Sequence, residues 1–185
     1  IDDQLLIDFP ADTYLHVLYH GLNLAGIKHC IITHAHSDHL YEEDFEMRRI
    51  GFAHPMEESP LTLYGTEPTA DRVNKIINQY NLSSEERVRF QLIEPFHPFD
   101  VMNYTVTPLK ADHDSRLNPV FYWISDHSKN ILYANDTGYF PEETWKYLEE
   151  KRPYFSFVSL DCTFGPIECR RGHMGISTNV EVKNR

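Results

Sequence analysis

The feature that most constrains this chain is residues 33–40, which read Thr-His-Ala-His-Ser-Asp-His-Leu and follow a short apolar run. Three imidazoles and one carboxylate fall within six positions, and these groups are the ligands that hydrolytic zinc sites use. If the apolar run is a strand, alternation of side chains places His34 and His36 on one side. Asp38 and His39 are adjacent, so the chain must leave the strand there. The spacing therefore predicts that the first pair faces one metal and the second pair faces another.

Charge and cysteine content narrow the functional classes. The 185 residues carry a formal net charge of −11. Such a surface repels a phosphate backbone, which disfavours nucleic acid as a partner and favours a small-molecule substrate. Cys30, Cys162 and Cys169 form no Cys-x-x-Cys pair, which disfavours a disulfide framework and indicates a reducing compartment, the cytoplasm. No apolar stretch approaches the roughly 20 residues of a membrane span, so no membrane partner is expected. The sequence leaves open whether the protein forms a homodimer.

Length and pattern predict one α/β domain over residues 1–185. Strands are predicted at residues 4–8, 29–33, 61–64, 87–93, 104–109, 120–125, 131–134 and 154–160. Helices are predicted at residues 42–49, 69–80 and 141–150, and from Asp12 onward, with an apolar stripe of Leu15, Val17, Leu18 and Leu22. Residues 51–60 and 96–100 are expected to be a loop and a turn. The chain lacks an initial methionine and stops inside a predicted helix, so we expect N- and C-terminal segments of a longer chain to be missing.

Three further polar motifs follow predicted strands. They are Lys-Ala-Asp-His-Asp at residues 110–114, Tyr-Ala-Asn-Asp-Thr-Gly at residues 133–138, and Leu-Asp-Cys-Thr-Phe at residues 160–164, with Arg-Arg-Gly-His-Met-Gly at residues 170–175. Ligands for one site generally come from several loops at one edge of a rigid sheet. Each motif alone is weak. Together with the first motif, they predict that His113 and Asp136 are metal ligands.

In this order the motifs resemble the metallo-β-lactamase superfamily over nearly the whole chain. The resemblance implies an αββα sandwich with two divalent metal ions, zinc or manganese with iron also compatible, at one edge of the sheets. It implies that the first ion is held by His34, His36 and His113. It implies that the second ion is held by Asp38 and His39, and that Asp136 bridges the two ions. The family's second ion takes one more histidine, which we expect beyond Arg185.

The end of the chain resembles the phosphodiesterase branch of that superfamily. This branch contains the transfer-RNA 3′-processing endonucleases and the carbon–phosphorus lyase accessory phosphodiesterases. The resemblance is carried by residues 159–164 and 172–175, and it implies that Asp161 orients His173. It also implies that His173 contacts phosphate or protonates the leaving oxygen, and that a structural zinc segment precedes Ile1. The roles of four flanking residues stay open. Asp112 and Asp114 either orient His113 or are solvated. Arg170 and Arg171 either bind phosphate or belong to a solvated loop.

The sequence therefore predicts a metal-dependent hydrolase. The leading prediction is a phosphodiesterase that uses a metal-bridging hydroxide on a small, linear or cyclic phosphodiester, with Asp38, Asp161 and His173 in catalytic roles. Alternatives are an RNA-processing endonuclease of the transfer-RNA 3′-processing type, a lactone or thioester hydrolase, and a metal protein without catalysis. The endonuclease would need a basic arm to hold RNA, and no such insertion is evident between Thr66 and Arg116. A purely structural zinc site is closed with four ligands, which argues against the last alternative.

Overall fold

The computed structural model describes residues 1, 4–52, 60–83 and 87–185. The chain divides into two compact units, residues 1–93 and residues 94–185, and each unit carries one β-sheet. The α/β class predicted from the sequence is confirmed. The boundaries of the predicted single domain stay a prediction.

The first unit contains a parallel sheet in the order β1-β2-β3-β4. Its elements are β1 (Leu5–Ile7), α1 (Thr13–His20), β2 (His29–Ile31), β3 (Leu61–Gly65), α2 (Glu67–Gln79) and β4 (Val88–Leu92), with 3₁₀ helices at Leu24–Gly26 and Glu42–Arg48. The register aligns Ile7 of β1 with Ile31 of β2. Because parallel strands end at the same sheet edge, Asp8 after β1 lies beside the residues that follow β2. This pairing brings an acid to the histidine motif.

The second unit contains a sheet in the order β5-β6-β7-β8-β9. Its elements are β5 (Phe99–Val101), β6 (Tyr104–Lys110), β7 (Val120–Ser125), β8 (Asn130–Ala134), α3 (Glu142–Lys151), β9 (Phe157–Leu160) and α4 (Ile176–Asn184), with a 3₁₀ helix at Ser115–Leu117. Strands β5 to β8 pair antiparallel, whereas β8 and β9 are parallel. Strands β6, β8 and β9 therefore run in one direction and end at one edge. The three later polar motifs begin at the ends of these three strands.

The hydrophobic core of the second unit stabilises the loops at that edge of the sheet. Trp145 of α3 is buried with Phe121 and Phe140, whose ring centroids are 4.6 Å apart. Met174, from the last polar motif, is fully buried in the same cluster. Complete burial of one methionine side chain stabilises the fold by about 1.5–3 kcal/mol. The segment around residues 172–175 is thus anchored by packing.

Helix α1 differs from the sequence-based prediction. Its apolar stripe is largely exposed, since Leu15 is 47% exposed and Leu18 is 60% exposed, while Val17 is half-buried. Asp12 precedes the helix but makes no capping hydrogen bond through its side chain. Periodicity at 3.6 residues identified the helix correctly. It does not specify which neighbour covers the apolar face.

Other differences are local. Phe99–Val101 is a strand where the sequence predicted a turn, and the strand predicted at residues 154–160 covers only Phe157–Leu160. The predicted loop at residues 51–60 lies mostly outside the described residues. Helix α2 buries Val73, Ile76 and Ile77, as its periodicity predicted. In the described part of the chain, no helix combines the length and apolarity needed to cross a membrane.

Candidate metal centre

The first histidine pair lies after β2, in the first unit. The strand ends at Ile31, before the motif, so alternation along a strand does not explain the pairing. Nε2 of His34 nevertheless lies 2.9 Å from Nδ1 of His36. Two facing imidazole nitrogens share either one proton or one cation, and nitrogens bound to one tetrahedral zinc lie roughly 3.3 Å apart at a Zn–N distance of about 2.0–2.1 Å. His34 is 1% exposed. His34 and His36 therefore place two imidazole nitrogens close together, an arrangement that fits a metal.

His39 and Asp38 lie in the turn that follows. The amide of His39 donates to the carbonyl of His36 at 3.0 Å, which turns the chain away from the strand direction. The imidazole of His39 packs against that of His34, with ring centroids 4.2 Å apart. The Asp38 side chain is 77% exposed, and its Oδ2 lies 3.9 Å from Nε2 of His39. The two adjacent residues thus present one carboxylate and one imidazole to the same space.

Asp8 is a site residue that sequence reasoning missed. Its carboxylate is 6% exposed and accepts from the Thr33 amide at 2.7 Å, from the Thr33 hydroxyl and from Nδ1 of His39 at 2.8 Å. Burial raises the pKa of the Asp8 carboxyl, and the hydrogen bonds from His39 and Thr33 oppose that shift without cancelling it. Since a carboxylate accepts, Nδ1 of His39 carries the proton, and Nε2 is the nitrogen that could bind a metal. The available signal was an acid at the end of the strand predicted at residues 4–8.

The second unit gathers three predicted site residues. Ligand atoms of His113, Asp136 and His173 all lie within 4.8 Å of one another. Nδ1 of His113 lies 2.9 Å from the carbonyl oxygen of Gly172, and a carbonyl only accepts, so Nδ1 carries the proton. Asp136 has φ +51°, a left-handed conformation that is uncommon outside glycine and is often found at functional sites. One neutral imidazole and one carboxylate are a donor set that zinc or manganese accepts.

Asp161 is hydrogen-bonded to His173 in the second unit. Its side chain is fully buried, and its Oδ2 lies 2.6 Å from Nδ1 of His173. The same carboxylate accepts from the backbone amides of Thr137, Thr163 and Met174, at 3.2, 2.9 and 3.2 Å. A carboxylate with four donors is held in one position. Nε2 of His173 is therefore the nitrogen that can exchange a proton or bind a metal.

The flanking charges have other roles. Asp112 accepts from the Gly172 amide at 3.3 Å, and Asp114 pairs with the Arg116 guanidinium at 2.6 Å. Nδ1 of His113 lies 2.9 Å from the Gly172 carbonyl oxygen, so a backbone group orients that imidazole. Arg170 pairs with Glu181 and lies over the Tyr139 ring at 3.9 Å. Its guanidinium is thus engaged by Glu181 and Tyr139, whereas Arg171 is exposed.

Gly138 is a position where loops of the second unit approach each other closely. Its amide donates to the Asp112 carbonyl at 2.7 Å. A Cβ at this position would lie 2.6 Å from the carbonyl oxygen of Arg170 and 2.8 Å from the Cα of Arg171. Both contacts are with backbone, so an added methyl group must displace the 170–173 segment. The Thr-Gly sequence after Asp136 is therefore a packing requirement as well as a turn signal.

We expect Gly138→Ala to lower the free energy of unfolding by about 3 kcal/mol, the upper range for overpacking. Urea denaturation measures this change. Gly26→Ala is the matched control, because its Cβ would meet the flexible Asn23 side chain at 3.1 Å. The control should change stability by less than about 1 kcal/mol. Equal midpoints for Gly138→Ala and the wild type would contradict the close approach.

Residues 8–185 match the family model described as a beta-lactamase superfamily domain. This chain belongs to that superfamily. The predicted superfamily membership is confirmed, and with it the general class of metal-dependent hydrolase. No curated protein matches this chain significantly.

Solved structures show the same fold as this superfamily domain. The metallo-beta-lactamase fold protein YhfI from Bacillus subtilis has a TM-score of 0.70 and 18% identity, covering 94% of this chain and 67% of its own. Zn(2+)-bound PqqB from Methylobacterium extorquens has a TM-score of 0.64 and 16% identity, covering 93% of this chain and 64% of its own. Human tRNase Z, short form, has a TM-score of 0.68 and 14% identity, covering 100% of this chain and 78% of its own. The predicted metallo-β-lactamase fold is confirmed.

Proposed function

We propose that this superfamily hydrolase is a metal-dependent phosphodiesterase acting on a small linear or cyclic phosphodiester, similar to the carbon–phosphorus lyase accessory phosphodiesterases. The observation that carries the proposal is the pair of buried Asp161 with half-buried His173, which lies beside His113 and Asp136. Phosphodiester cleavage releases an alkoxide, which needs a proton. A histidine that is oriented by a carboxylate and lies next to candidate metal ligands meets that need.

The proposed ligands are those assigned from the sequence. His34, His36 and His113 would hold one divalent ion, Asp38 and His39 would hold the other, and Asp136 would bridge them. When bound, two such ions polarise a phosphate oxygen and activate water at neutral pH. Zinc and manganese both fit imidazole and carboxylate donors, and a zinc-bound protein shares the fold.

The protein's own residues supply orientation and proton transfer. Asp161 holds Nδ1 of His173, so Nε2 can deliver a proton to the leaving oxygen. Histidine suits this role because its ordinary titration lies near neutral pH. Asp8 fixes the ring of His39 in the same way. The exposed Asp38 carboxylate, the third proposed catalytic group, is open to solvent and can receive a proton from an attacking water.

A small substrate is favoured over RNA by charge. The net charge of −11 repels an extended phosphate backbone, and Arg170 is engaged by Glu181. Human tRNase Z shares the fold at 14% identity, so an RNA-processing endonuclease stays the alternative. We also propose that the protein acts in the cytoplasm on a small-molecule substrate. A lactone or thioester hydrolase is the other alternative.

A substrate panel tests the proposal. Full-length metal-loaded protein is assayed on bis(p-nitrophenyl) phosphate, a cyclic nucleotide, a precursor transfer RNA, a lactone and a thioester. We expect the small phosphodiesters to exceed the lactone and thioester in kcat/KM by at least about 100-fold, because a site whose polar groups bind one substrate rejects another that leaves them unpaired. Chelator-treated protein is the control and should be inactive. Preference for the acyl substrates, or chelator-resistant activity, would reject the proposal.

A further inference from the structure

The backbone between the first two site histidines is held by an arginine from another element. Arg72 on α2 donates through Nη1 to the carbonyl oxygen of Ala35, the residue between His34 and His36. Ala35 is 4% exposed, so its carbonyl has little access to water and requires a donor from the protein. The arginine therefore fixes the peptide unit that sets the direction of both imidazoles.

The same guanidinium is fixed by a carboxylate. Its Nε donates to Oε1 of Glu42 at 2.7 Å, and its Nη2 donates to Oε2 of Glu42 at 2.5 Å. Glu42 is 7% exposed and begins the 3₁₀ helix directly after the histidine motif. A planar bidentate pair holds both partners in one geometry. The Arg72–Glu42 pair thus connects α2 to the middle of the motif and to the segment that follows it.

We propose that Arg72 and Glu42 are positioning residues of the metal centre, which act by holding the Ala35 peptide and thereby the His34–His36 pair. This inference deepens the proposed function and rests on it for the presence of metal. Lysine cannot replace the arginine, since its ammonium is a point charge without the planar fork that serves Glu42 and Ala35 together. The role concerns the alignment of ligands, so it predicts a change in metal affinity beyond any change in stability.

The experiment measures zinc affinity of the full-length protein by competition with a chelating dye, and the visible spectrum with cobalt(II) in place of zinc. We expect Arg72→Lys and Glu42→Gln to weaken zinc binding by about 10–100-fold, as loss of groups that orient metal ligands typically does. The cobalt(II) spectrum should change in position and intensity. Measurements are made where circular dichroism shows each variant fully folded, so lost stability does not enter the affinity.

Arg49→Lys is the matched control. Arg49 pairs with Glu46 at 2.8 Å, and its side chain is 29% exposed against 33% for Arg72. It makes no described hydrogen bond to the histidine motif. The inference is supported if Arg49→Lys binds zinc within about twofold of the wild type while Arg72→Lys binds it weakly. Wild-type affinity and spectrum in Arg72→Lys overturn it and leave the proposed function standing. A wild-type protein that binds neither metal overturns both.

Discussion

Replacing His36 by alanine is expected to reduce both metal affinity and hydrolytic activity by more than about 100-fold. The physical reason is the arrangement at the end of β2, where its Nδ1 lies 2.9 Å from Nε2 of buried His34. Losing a group that merely orients a ligand costs about 10–100-fold, so losing a ligand should cost more. Metal content is measured by mass spectrometry after dialysis, and activity is measured on bis(p-nitrophenyl) phosphate. His36 is half-buried, so the substitution leaves a small cavity at most.

His16→Ala is the control for that experiment. It removes a histidine from the same unit, but His16 lies on α1, its side chain is 49% exposed, and Nε2 lies 3.7 Å from Asp12. This variant should keep wild-type metal content and activity. Retention of two metal ions and full activity in His36→Ala would show that the pair is not part of the metal centre.

The second large effect is expected from His173→Ala. Loss of general-acid assistance should lower kcat/KM by about 10²–10⁴ on a phosphodiester with a poor alkoxide leaving group. The loss should be much smaller with a nitrophenolate, which departs without a proton. The measurement is the loss of kcat/KM on the alkoxide substrate divided by the loss on the nitrophenolate substrate. It isolates proton delivery from binding because both substrates carry the same phosphate.

The control is His97→Ala, since the His97 side chain is 75% exposed in the same unit. It should leave both rates unchanged. Equal losses on the two substrates in His173→Ala would indicate phosphate binding instead of acid catalysis. Loss of metal would indicate that His173 is itself a ligand, which its position within 4.8 Å of the His113 and Asp136 ligand atoms allows.

The strands could be predicted where burial imposes a pattern. Apolar runs and alternation located β2, β3 and β6 to β8 because each strand packs against the core through fixed faces. Strand β5 was missed because it is three residues long and joins β6 through Met102, which has φ +56° without a glycine to signal the turn. The exposed face of α1 could not be foreseen, because periodicity records an apolar face and carries no information on what covers it.

The candidate site was predictable where several ligand types recur close together. The spacing of His34, His36 and His39 is dense enough to indicate metal without a fold. Asp8 was not predicted, since a single acid after a strand has many roles and its partner lies 31 residues away. The Gly172 carbonyl that holds His113 was equally hidden, because a backbone oxygen has no signature in sequence.

The parallel pairing of β8 with β9 has a consequence for how mutations can change the candidate site. Because β9 ends beside β8, the segment after β9 brings Asp161 and His173 to an edge where His113 and Asp136 arrive from other strands. The proposed proton donor and the proposed metal ligands are thus encoded in separate stretches of chain. A mutation in the 161–175 segment can therefore change the proposed proton donor while leaving the histidine motif at residues 33–40 as it is.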